Sequence, residues 1–254
     1  MMGRTLKGSA RSHSVMGLVR QRIEKGGERL WRFDDFRDLS SPAVAQALSR
    51  LTREGTIERL SKGLYYRYRE TTFGKSRPNP AAILRLVSRQ KPMFPAGLGA
   101  ANLLGFTTQT PKQREIATSS LSLPRKLVGD DTLIHTRRPE AWGGLTETEA
   151  ALLDFLRHGG KFSELNQKDT IRKLLALLSE PGRLRRLLKV ADSEPPRIRA
   201  MLGALGEQMG LPCRILQRLR GSLNPLSRFD FGVLAALPNA GDWQAKETRY
   251  REAV

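Results

Sequence analysis

The chain has 254 residues, enough for one large domain or two smaller ones with a real core. Hydrophobic residues make up 39% and charged residues 27%, which excludes a disordered chain, and no apolar run reaches the roughly 18 residues of a membrane helix. Lys and Arg number 44 against 25 Asp and Glu, a net charge of +19 that points to a polyanionic partner, nucleic acid before an anionic membrane surface.

The opening stretch, MMGRTLKGSARSHS, is basic and polar and lacks the apolar core of a signal peptide. Residues 1–13 read as a flexible basic arm, and the protein as cytoplasmic. The single cysteine, Cys213, excludes an internal disulfide framework. Its setting, MGLPCRIL, reads as that of a packed thiol.

From Ser14, SVMGLVRQRIEKGG places Val15, Leu18, Val19, Arg22 and Ile23 at helical spacing, and Gly26 with Gly27 ends the run. ERLWRF reads as a short strand. FDDFRDLS, with Asp34 at the N-cap, reads as a second short helix. In SSPAVAQALSRLTREGT, Ser41 stands as cap and Pro42 as first helical residue. Val44, Leu48 and Leu51 make its apolar face, and Gly55 stops it. IERLSKGLYYRY predicts two short strands about a turn at Ser61, Lys62 and Gly63. TTFGKSRPNP is a turn-rich break. It separates a first domain at 14–74 from a second at 78–240, and 241–254 is a tail.

In the second domain PAAILRLVSRQ and GLGAANLLGF predict helices, and REIATS, RKLV and TLIHTRR predict short strands. TETEAALLDFLRHGG is a helix with Thr146 and Glu149 as a capping box. KDTIRKLLALLSE, GRLRRLLKVAD, PRIRAMLGALGEQMG and CRILQRLRGSL are amphipathic helices without a recurring motif. The fold class is therefore mainly α with small β elements, an α+β chain.

The first domain's order of helix, strand, helix, helix and hairpin is that of a winged helix-turn-helix, whose third helix enters the major groove of double-stranded DNA. With the apolar face inward, the opposite face presents Ala43, Gln46, Ala47, Arg50 and Arg53. Small residues let the backbone approach the bases, while Gln46 suits adenine and Arg50 guanine. Ser40 and Ser41 lie at the helix N-terminus, where phosphate is favoured. On the hairpin, Arg59, Lys62 and Gly63 complete the expected DNA-binding set. The competing reading is a small helix packed on a small sheet, with a merely solvated basic face. Tyr65, Tyr66 and Tyr68 read as core-filling.

The stretch LSRLTREGTIERLSKGLYYRY, then Phe73–Gly74, then AANLLGFTTQTP from Ala100 to Pro111, resembles the AbiEi antitoxins of type IV toxin–antitoxin systems. The likeness covers roughly residues 14–140. It implies a winged helix that binds inverted repeats in its own promoter and represses its operon, with self-association on DNA. It also implies a C-terminal domain that counteracts a nucleotidyltransferase-like toxin encoded next door. The C-terminal half departs from this by being strongly basic. That leaves open a second DNA-contacting surface, a face for an acidic toxin surface, or a soluble helix face.

No enzyme is expected. His13, His135 and His158 are not at metal-ligand spacing, no phosphate loop or serine elbow is present, and the adjacent Asp130 and Asp131 lack a nuclease Glu-x-Lys. No cofactor, metal or membrane partner is expected. The alternative function is an RNA-binding or protein-interaction winged-helix module without a toxin.

Overall fold

The computed structural model describes residues 14–72, 74–76, 92–121, 123, 125–129 and 131–247. The expected arm at 1–13, His13, the helix expected in PAAILRLVSRQ, Phe73, Asp130 and the end of the tail lie outside them. The protein is a mixed α+β chain, mainly helical with several small sheets. It divides into two units: residues 14–76 with 125–129, and residues 92–123 with 131–247.

The first unit opens with α1 (Val15–Gly26), capped by the Ser14 hydroxyl, which accepts from the Gly17 N–H at 3.2 Å. Val19 and Ile23, one turn apart, are fully buried. Gly26 ends the helix against Trp31, where a Cβ would stand 2.3 Å from the indole. Strand β1 (Arg29–Arg32) follows, then a single 3-10 turn (Phe33–Phe36).

That turn is shorter than the second helix the sequence predicts, and Asp34 is not its cap. The Asp35 carboxylate accepts the Arg32 N–H at 2.8 Å instead. Phe36 must stack on Trp31, with centroids 5.7 Å apart, and Arg22 grips Asp38 at 2.7 Å; both restrain the segment. Next come α2 (Ser41–Arg53), β2 (Glu58–Ser61) and β3 (Leu64–Arg67). The three strands form one antiparallel sheet in the order β1-β3-β2. Tyr65 pairs with Trp31 on one side and Arg59 on the other. The core joins Val19, Ile23, Trp31, Phe36, Val44, Ala47, Leu48, Leu51, Ile57 and Tyr65. Each fully buried large apolar side chain contributes about 1.5–3 kcal/mol. A small hairpin, β4 (Glu70–Thr71) and β5 (Gly74–Lys75), follows.

In the second unit β6 (Met93–Pro95) pairs antiparallel with β7 (Glu115–Thr118), which pairs parallel with β8 (Leu133–His135). Helix α3 (Gly97–Leu103) lies between β6 and β7 in sequence. RKLV, expected as a strand, is instead one helical turn, α4 (Arg125–Val128), and belongs to the first unit. Four residues show neither period in sequence. Here Gly129, at φ +97°, closes the turn by donating to the Arg125 carbonyl at 2.8 Å.

Helix α5 (Glu147–Arg157) runs through the core and is buried on nearly every side. Around it stand α6 (Gln167–Leu178), α7 (Arg183–Val190), α8 (Pro196–Gln208) and α9 (Cys213–Gly221). Phe106 and Phe155 stack at 4.1 Å, and Trp142 and Trp243 are fully buried. Cys213, expected as a packed thiol, is exposed. It is the first residue of α9, and the apolar character around it is taken inward by Leu211 against Gly206 and by Leu219. Among the described residues no helix is long and apolar enough to cross a membrane.

Candidate nucleic-acid interface

Pro42 sits in the first turn of α2, where its missing N–H leaves no partner unsatisfied. The cap is Ser40 rather than Ser41, and no side chain caps the first turn. Successive residues advance about 100° around the axis. Val44, Ala47, Leu48 and Leu51 therefore share the buried side. Pro42, Gln46, Ser49 and Arg53 occupy the middle of the exposed side, with Ala45 and Arg50 on its flanks.

Of the predicted DNA-binding set, Gln46, Arg50 and Arg53 lie on this open side, while Ser40 and Ser41 are exposed at the helix N-terminus but not on that face. Ala43 is half-buried at its edge. Ala47 is 2% exposed and belongs to the core, so it cannot touch a ligand without unfolding the unit. Ser49 and Ala45, which are not in that set, are exposed on the same side. Counting Ala47 among the apolar positions shifts the centre of the buried arc and puts Ser49 opposite it.

The hairpin is fastened to this helix. Gly63, at φ +75°, lets the chain reverse through Lys62 and Gly63 alone. The Phe33 N–H donates to the Gly63 carbonyl at 2.9 Å, tying the tip to the 3-10 turn. At the other end the Tyr68 hydroxyl donates to the carbonyl of Gly55, just beyond α2. Lys62 is exposed at the tip and carries no ion pair among the described residues. Arg59 is exposed on β2, beside a bulge, with its Nε 3.4 Å from the Ser61 carbonyl. Tyr65 and Tyr66 are buried and Tyr68 half-buried, as the sequence predicts. Burial raises the Tyr66 phenol, which donates to Glu28 at 2.6 Å.

Several acids of the first unit are ion-paired. Glu54 receives Arg20 and Arg50, in that order of effect, and is held below the ordinary carboxylate range. Glu58 pairs with Lys126 on α4 at 2.9 Å. Asp38 is pulled down to about 2 by its hydrogen bonds from Arg22.

The second unit has its own charged centre. Asp154, fully buried, accepts from the Gly97 N–H at 2.7 Å and from Arg138 at 2.9 Å, and His158 lies 3.2 Å away. His135 pairs with Glu115 at 2.8 Å. Glu194, also buried, receives Trp142 Nε1 at 2.6 Å and Arg157 at 2.8 Å. Among the described residues no three His, Cys, Asp or Glu side chains are grouped to hold a metal.

Residues 20–132 match a family of unknown function, DUF6088. No curated protein matches the chain. Among solved structures, the RV2827C protein from Mycobacterium tuberculosis is similar at 19% identity, with a TM-score of 0.39 over 85% of this chain and 82% of that one. The matched family segment includes the whole of α2 and the hairpin.

The basic helices of the second unit are partly occupied. Arg186 pairs with Glu149, Arg218 with Asp192 at 3.0 Å and Arg220 with Glu207 at 2.9 Å. Arg185, Lys189 and Arg214 are exposed and form no ion pair among the described residues.

Proposed function

We propose that the first unit is a winged helix-turn-helix that binds double-stranded DNA, and that the protein is a sequence-specific transcriptional repressor of the cytoplasm. The observation that carries this reading is the order α1-β1-turn-α2-β2-β3 with sheet order β1-β3-β2. It leaves α2 with one open polar face and a basic hairpin tip tied to the turn before it. Gln46 offers an amide to adenine, Arg50 a guanidinium to guanine, and Ser49 a hydroxyl to either. Arg53, Arg59 and Lys62 supply phosphate contacts, which fix register and make affinity fall with salt. Two copies on an inverted repeat would present two such helices to successive major grooves.

The test is a gel shift on the DNA upstream of its own gene against scrambled duplex, at low and near-physiological salt. A specific complex that survives salt, and that Arg50→Ala weakens by about 1–3 kcal/mol, supports the reading. Equal and salt-labile binding to both duplexes sinks it. The resemblance to AbiEi antitoxins adds operon autoregulation and a nucleotidyltransferase-like toxin as partner. Co-expression with an adjacent toxin gene tests that part: rescue of growth supports it, and unrelieved toxicity removes it.

A further inference from the structure

Glu54 closes α2 as its C-cap residue, and its two oxygens serve two helices. Oε1 accepts from Arg50 Nε at 2.9 Å, and Oε2 accepts from an Nη of Arg20 on α1. Arg20 follows the buried Val19, so the carboxylate is anchored to the scaffold of the unit and not only to its own helix. Arg50 remains 68% exposed despite the pair.

The choice of atom matters. A guanidinium carries five N–H donors. With Nε–H committed to Glu54, the two Nη groups have no hydrogen-bond partner among the described residues and lie at the far edge, in a plane the carboxylate helps to set. That edge is the one that reads O6 and N7 of guanine together. An arginine already held also has less rotamer freedom to lose on binding. The same carboxylate is a negative charge beside a surface that gathers phosphate, so it opposes capture of any duplex.

Resting on the reading of α2 as the base-reading helix, we propose that Glu54 is a specificity-determining positioning residue. It aims Arg50 at a base edge and weakens binding to non-cognate DNA. Discrimination thus comes from one carboxylate acting in two ways, attractive through Arg50 and repulsive toward backbone phosphate.

The experiment compares wild type, Glu54→Ala, Glu54→Gln, Arg50→Ala and the double variant Arg50→Ala/Glu54→Ala. Affinities for the upstream DNA and a scrambled duplex are measured at fixed salt, with thermal midpoints recorded for each. Glu54→Ala should bind scrambled duplex more tightly than wild type while the cognate-to-scrambled ratio falls about tenfold, the size of one good base contact. Glu54→Gln loses the charge but keeps an acceptor, so it should match Glu54→Ala on scrambled duplex and retain part of the ratio. In the Arg50→Ala background, removal of Glu54 should leave the ratio unchanged. If Arg50→Ala lowers the ratio and neither Glu54 variant does, Glu54 positions nothing, and α2 still reads DNA. If affinity for both duplexes drops in proportion, its role is structural only and the inference is overturned. A wild type that does not discriminate the duplexes removes both this inference and the reading beneath it.

Discussion

Asp154 lies fully buried one helical turn before His158, its carboxylate 3.2 Å from the imidazole. Burial alone would push Asp154 up. Hydrogen bonds from His158 and Gly97 and the charge of Arg138 outweigh that and hold it below the ordinary range. His158 moves the other way, because its hydrogen bond to Asp154 raises it more than burial lowers it. Folding therefore favours the imidazolium. Its stabilisation is complete below the ordinary imidazole value of 6.5 and is lost as pH rises through the raised folded value. An NMR titration of His158 should give a midpoint above 6.5, and Asp154→Asn should bring it down. A wild-type midpoint at or below the ordinary value contradicts the pairing. Asp154→Ala strands Arg138 and should cost about 3–5 kcal/mol in denaturant unfolding.

Thr146 and Glu149 cap α5 reciprocally, at 3.3 Å and 2.9 Å. Thr146→Ala should cost about 1 kcal/mol, read from the urea midpoint. Glu149→Ala should cost more, because the same carboxylate also receives Arg186. Equal losses would show that the Arg186 pair contributes nothing.

Gly203 sits in the middle of α8 for reasons of space. A Cβ there would stand 2.0 Å from the indole of Trp243. The ring is pinned, since its Nε1 donates to Glu207 at 2.8 Å. Gly203→Ala should destabilise by about 1–3 kcal/mol and change the tryptophan emission. An unchanged melt would mean that the ring yields freely.

Ser49 and Ala47 stand on opposite sides of α2. Ser49→Glu should leave the melting temperature unchanged and abolish DNA binding by repulsion of phosphate. Ala47→Glu should unfold the first unit, because a carboxylate would enter its core. Circular dichroism and gel shifts on both variants separate the two faces; the reverse pattern would mean that α2 is rotated.

Lys62 at the hairpin tip should touch backbone only. Lys62→Ala should weaken binding to all duplexes alike and reduce the slope of log K against log salt by about 1. A loss confined to one base position would place Lys62 in a groove instead.

Much of this fold was legible in the sequence. The cap at Thr146, the Val44, Leu48 and Leu51 spacing and the Lys62–Gly63 turn are local signals. Helical period, cap chemistry and glycine conformation depend on a few adjacent residues. The tyrosines read as structural because aromatics of a strand more often fill a core, although Tyr65 and Tyr66 are adjacent on β3 and Tyr68 lies just past its end. Where local signals were weak or absent, tertiary packing decided. Four residues at Arg125–Val128 carry no period, and they became a helical turn. FDDFRDLS has helix-like composition, yet the demand of Phe36 for a place beside Trp31 cut it to one 3-10 turn. Ala47 is small and neutral, so its sequence position allowed either face, and only the packing of the first unit's core put it inside.

Charge showed the same division. The sequence by itself determined the excess of cations and the amphipathic faces that carry them, because both are sums over residue types and spacings. Only the tertiary structure decided which cations are free. Arg50 and Arg20 converge on Glu54 from two helices, Arg138 and His158 on Asp154, and Arg157 on Glu194. Arg50–Glu54 and Asp154–His158 are four residues apart on one helix, a spacing that is local. The pairs of Arg20, Arg138 and Arg157 join different elements and depend on distances of a few ångströms that no local pattern encodes, and the same distances leave Lys62 open.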